Sequence, residues 1–130
     1  MKATAAMAAA PREDRAADAI AQARRWYWQR LSAMVLAVCV VVHLVTLVYA
    51  VRSGLSAQAI LGRTQGHWGV GAFYALFVVA CAVHVPPGLA AIAREWGGFG
   101  ERAALGLGRA FGVLLLLAGL RAVWAVVAPA

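Results

Sequence analysis

Acidic side chains are few in this sequence. There are 5 Asp or Glu in 130 residues, against 12 Lys or Arg. They are Glu13, Asp14, Asp18, Glu95 and Glu101, so none falls between Ala19 and Arg94. Most of the chain therefore has no paired carboxylates for acid–base work. A phosphate-cradling glycine loop and a nucleophile elbow are also missing, which argues against a self-contained kinase or hydrolase. The two cysteines, Cys39 and Cys81, lie inside apolar stretches. They give neither a disulfide framework nor zinc-knuckle spacing. Charged residues make up 13% of the chain, where a soluble domain carries about a quarter. At 64% hydrophobic the chain is not a disordered one. In a soluble protein a formal charge of +7 would point to nucleic acid. Here the cations are confined to short segments between long uncharged runs, and no nucleic-acid partner is expected.

Those runs carry the fold. Leu31 to Val51 is 21 residues without a charge, and Trp68 to Ala93 is 26. Ala110 to Ala130 carries one charge, Arg121. A bilayer core of about 30 Å takes roughly 20 helical residues. Within lipid every backbone group must be satisfied inside the segment, so runs of this length are helices. The alternation of a membrane barrel strand is absent. The expectation is an all-α protein with three transmembrane helices at about 27–52, 67–93 and 107–128. Before them, residues 1–25 form an Ala-rich, mixed-charge segment, expected to be frayed at its start and then a surface helix from about Arg12.

Orientation follows from counting Lys and Arg. Lys2, Arg12, Arg15, Arg24, Arg25 and Arg30 precede the first run, and Arg94, Arg102 and Arg109 lie between the second and third. The other loop holds only Arg52 and Arg63. This places the N-terminus in the cytoplasm. Trp26, Trp28, Trp68, Trp96 and Trp124 all fall near the expected interfaces, as an aromatic belt does.

Inside the runs sit His43, His84 and Arg121. Ionisable groups within a membrane are rare and point to function. The plain alternative for each histidine is a neutral imidazole bonded to a neighbouring helix. No Cys, Asp or Glu stands ready to complete a zinc site, and the ligation that suits imidazoles in a helix bundle is axial to haem iron. Gly88, one turn beyond His84, leaves room for a planar group, and Phe77 lies two turns before it on the same face. Pro86 and Pro87 free the carbonyls of Ala82 and Val83, which either bends the helix beside the ligand or is an ordinary proline site satisfied by neighbours. Cys39 and Cys81 read as small core residues. At 1.5 Å per residue, His84 comes out nearer the cytoplasm than His43 by about 5–10 Å, which favours two haems over one. Arg121 is placed to meet a haem propionate, to snorkel outward, or to pair with another subunit. Arg30, with Ser32, stands at the inner mouth of the first helix, where it meets a propionate or a quinone carbonyl, or serves only as a positive flank.

The stretch Trp28-Gln29-Arg30-Leu31-Ser32-Ala33, followed by His43, resembles the first helix of the cytochrome b membrane anchors of succinate dehydrogenases and fumarate reductases. Arg-x-Ser is like their single-haem members. Trp-Gln with a histidine 14 residues on is like the di-haem ones. Ala82-Val83-His84-Val85-Pro86-Pro87-Gly88 resembles the family's His-x-x-x-Gly helix, with Glu95, Trp96 and Gly97 after it. The likeness runs from about Trp26 to the C-terminus. There are departures: Trp26 stands where the family has a quinone-site serine, Gln29 replaces a histidine, and Ala90-Ala91 replaces a basic-His pair.

The resemblance implies the anchor usually called the cytochrome b556 subunit, in a bacterial inner membrane. Its partners would be a flavoprotein, an iron–sulfur protein and a second anchor, or a second copy of this chain, which completes the helical bundle. His84 and His43 would be axial ligands of haem b, one or two in number. Arg30 would stand near a propionate as well as the quinone; the propionate role of Arg121 rests on its charge and depth and not on the resemblance. Trp26, Arg30 and Ser32 would surround ubiquinone or menaquinone. Two competing readings are the b-type anchor of another respiratory oxidoreductase and a cofactor-free structural membrane protein.

Overall fold

The structure, a computed structural model, describes residues 12–129. The expected frayed start and Lys2 lie outside the described residues. Four helices account for nearly everything else: α1 (Arg12–Ser53), α2 (Ala57–Thr64), α3 (Trp68–Glu95) and α4 (Glu101–Val127). No strand occurs among the described residues. As expected, the fold is all-α, and three helices are long and apolar enough to cross a membrane. That is the architecture of a multi-pass membrane protein.

α1 is longer than expected. Its 42 residues contain neither Gly nor Pro, so nothing separates the polar N-terminal stretch from the apolar one. They form one continuous helix about 63 Å long instead of a surface helix followed by a span. α1 ends at Gly54, whose φ of +103° suits only a residue without a Cβ. α2 was not expected at all. Ser56 caps it, its side-chain oxygen accepting from the Ala59 N–H at 3.0 Å. The end of α2 is tied to the end of α4. The Thr64 hydroxyl donates to the Val126 carbonyl at 2.6 Å, and the Gly66 N–H donates to Val127 at 3.0 Å. These bonds satisfy carbonyls that the last turn of α4 leaves without helical donors.

α3 packs between α1 and α4. The α3–α4 contact is backbone-close. Ala104, Gly108, Gly112 and Gly119 recur at helical spacing along one face of α4, and Ala104 is fully buried. A Cβ added to Gly108 would stand 2.5 Å from the Pro86 carbonyl oxygen. One added to Gly112 would stand 2.6 Å from Pro86 Cγ and 3.1 Å from the Ala82 carbonyl oxygen. One added to Gly119 would stand 2.6 Å from Val78 Cγ1. Small residues let two helices approach closely where water exclusion supplies no drive. Pro86 also deprives Ala82 O of its helical donor, and that oxygen faces the glycine stripe of α4. α4 begins at Glu101, six residues before the expected start. Gly98 (φ +66°) makes the left-handed turn before it, Gly100 caps it, and the acidic Glu101 in its first turn favours the helix dipole. On the side of α1 away from α3, Val38, Val41 and Val45 stay about two-thirds exposed. Those side chains await lipid or another protein.

Candidate functional site

Both histidines lie on the seam between α1 and α3. On α1, Ser32, Cys39 and His43 are spaced 7 and 4 apart, which stacks them on one face. Ser32 (5% exposed) and Cys39 (2%) are buried there, and His43 is half-buried. On α3, Tyr74, Phe77, Cys81 and His84 follow the same rule and face them.

Two polar contacts cross the seam. Ser32 Oγ lies 3.4 Å from His84 Nδ1, and the same hydroxyl donates to the Gln29 backbone carbonyl at 3.0 Å. His43 Nδ1 lies 3.3 Å from the Tyr74 hydroxyl. The His43 ring also meets Tyr74 and Phe77 edge-on, each at a centroid distance of 5.7 Å. Phe77, expected beside His84, therefore belongs to His43. Among the described residues neither imidazole Nε2 has a hydrogen-bond partner, and neither is sealed from the surface.

These contacts fix the register. Ser32 is level with His84, and His43 with Tyr74. The intervening 11 residues of α1 and 10 of α3 put the two imidazoles about 15 Å apart along the helix axes. The sequence ruler gave less because it assumed Arg30 and Arg94 stand at one depth. In the antiparallel register Arg94 falls near Gln22, about 12 Å beyond Arg30. Histidines so far apart along the bundle would hold separate haems and not a single one. Beside His84, Gly88 has nothing within 4 Å of a built Cβ. The face is open, as a planar group requires, so these residues fit an axially bound haem.

The other expected residues divide differently. The Arg30 guanidinium lies 5.3 Å from the centroid of the exposed Trp26 ring, so those two come together. Ser32 is two residues on, about 200° around the helix, and faces His84 instead. Arg121 is exposed and two residues from Gly119, which puts it on the side of α4 opposite α3. The fold brings it to neither histidine.

Two cavities add residues that sequence reasoning missed. One of about 240 Å³ lies beneath α2, lined by His43, Tyr74, Tyr49 and Arg63 among others. Arg63 covers the Tyr49 ring at 5.3 Å. The other, about 400 Å³, opens near the His84 end between Arg24, Arg25, Trp28, Gln29, Val83 and Pro87. Gln29 Oε1 is buried there without a hydrogen-bond partner. Nothing in the sequence of Ala57–Thr64 marks the first cavity, and Arg63 reads in one dimension only as a loop cation. Comparison with family models, curated proteins and solved structures finds no match to the chain.

Proposed function

We propose that this chain is the membrane anchor and haem b electron-transfer subunit of a succinate:quinone oxidoreductase. It passes electrons between an iron–sulfur subunit and membrane quinone and does no chemistry on succinate itself. The observation that carries the reading is the arrangement of His84. Its Nδ1 is held across the seam by Ser32, its Nε2 is free, and the helix face one turn on is cleared by Gly88. The order of motifs along the chain, set out above, adds the enzyme class.

In this reading His84 holds the haem nearer the cytoplasm and His43 holds a second, about 15 Å further out. Bound haem supplies one-electron transfer in a low-dielectric bundle. The chain's residues orient the imidazoles and exclude water. Quinone binds at the cytoplasmic mouth near Trp26 and Arg30, where positive charge stabilises a reduced quinone oxygen; Ser32, turned to the seam and His84, takes no part in that pocket. The adjoining cavity offers Arg24 and Arg25 for the same purpose. The N-terminus lies in the cytoplasm of a bacterium, and the long polar start of α1, with the Arg94–Arg109 segment, docks the iron–sulfur subunit of the four-subunit complex.

This chain offers one histidine at each level, so a second ligand for each haem would come from another chain. A second anchor would need histidines at both levels. A second copy, related by an axis along the membrane normal, supplies them automatically because that rotation preserves depth. The test is haem stoichiometry in the detergent-solubilised complex, with native mass spectrometry of its chains. His84→Ala and His43→Ala should each remove one haem. A wild-type complex without haem contradicts the proposal, and an unchanged His43→Ala complex removes the second site.

A further inference from the structure

The contacts of Ser32 point to a role outside the quinone pocket. A serine hydroxyl has one hydrogen. The Gln29 carbonyl can only accept, so at 3.0 Å the Ser32 hydrogen is spent on it. The 3.4 Å contact with His84 is then satisfied only if Ser32 Oγ accepts and His84 Nδ1 donates. That leaves Nε2 as the bare lone pair. Ser32 is itself buried at 5% exposure, on the seam rather than at a mouth.

Resting on the haem assignment of the previous section, we infer that Ser32 is the positioning residue for His84. It selects the Nδ1–H tautomer, fixes the ring, and so presents Nε2 to iron. Hydrogen-bonded acceptors behind a ligating histidine set its orientation and raise its basicity. Arg30, on the other side of α1, shares none of this function. The Gln29 carbonyl is the third member of the relay, because it orients the serine hydrogen away from the imidazole.

The experiment has two arms. In bilayers, the chain labelled with ¹⁵N-histidine is examined by solid-state NMR without haem. Wild type should show His84 protonated at Nδ1, and Ser32→Ala should shift it toward the Nε2–H form. In the purified complex, Ser32→Ala should weaken haem binding at His84 by about 10-fold or more and raise its midpoint potential, because a less basic imidazole favours ferric iron less. Ser32→Thr, which keeps the oxygen, should restore both. An Nε2–H imidazole in the wild-type chain overturns the inference. So does a Ser32→Ala complex with unchanged haem affinity and potential. If His84→Ala retains every haem, the haem assignment has failed instead, and the NMR arm still decides the tautomer.

Discussion

Gly108→Ala should loosen the α3–α4 pair, whereas Gly106→Ala, two residues away, should not. A methyl at position 108 would stand 2.5 Å from the Pro86 carbonyl oxygen and 3.2 Å from its carbon. Against a contact optimum of about 3.5 Å, the shortfall is about 1 Å. The obstacle is backbone within α3, so it cannot swing aside, and the helices must part. Overpacking of this kind costs about 1–3 kcal/mol. Parting also weakens the Gly112–Pro86 and Gly119–Val78 approaches on the same stripe. A methyl at position 106 meets nothing within 4 Å and gains up to about 1 kcal/mol of helix propensity. Gly108→Ala shares that propensity gain, so the pair should differ by the overpacking cost alone, about 1–3 kcal/mol. Titrating SDS into mixed micelles reads this as a shift in unfolding midpoint. The rings of Trp68 and Trp124, 6.5 Å apart across the helix pair, provide the fluorescence signal. If Gly108→Ala unfolds at or above the Gly106→Ala midpoint, the close-packed stripe is wrong.

Three further outcomes follow from the same geometry. Tyr74→Phe keeps the ring beside His43 but removes its hydroxyl, so it should change the electron paramagnetic resonance signal of the haem proposed at His43 and leave that of the haem proposed at His84 alone. Thr64→Val leaves the Val126 carbonyl one donor short, which should cost about 1 kcal/mol and speed hydrogen exchange at the Gly66 amide, whose bond to Val127 closes the same junction. Arg63→Gln should lower the potential of the haem proposed at His43, because Arg63 is the cation lining that histidine's cavity. Arg121→Gln should not, since it points away from α3; equal effects from both would refute the placement of Arg121.

Much of the fold was readable because lipid constrains sequence so strongly. A run such as Leu31–Val51 has one way to satisfy its backbone, and the basic flanks and tryptophans mark its ends. The histidines stood out for the same reason, as costly groups in an apolar setting. What could not be read was anything set by register between helices. The roughly 15 Å between His43 and His84 depends on how far α1 slides along α3, and no residue in either run announces that offset. Ser32 looked like a companion of Arg30 because it is two residues away in the chain, yet a helix turns those two side chains to opposite sides. α2 escaped notice because eight residues of Ala57–Thr64 hold too little apolar pattern to separate a helix from a loop. α4 started early because its first turn is polar and hydropathy alone ignores it.

The most direct measurement is a reduced-minus-oxidised absorption spectrum of the detergent-solubilised complex, wild type beside His84→Ala. The account predicts b-type haem bands in the wild type and loss of one component in the variant, with the complex still assembled. Bands of full amplitude in an assembled His84→Ala complex would contradict it, as would a wild-type complex with no haem bands at all.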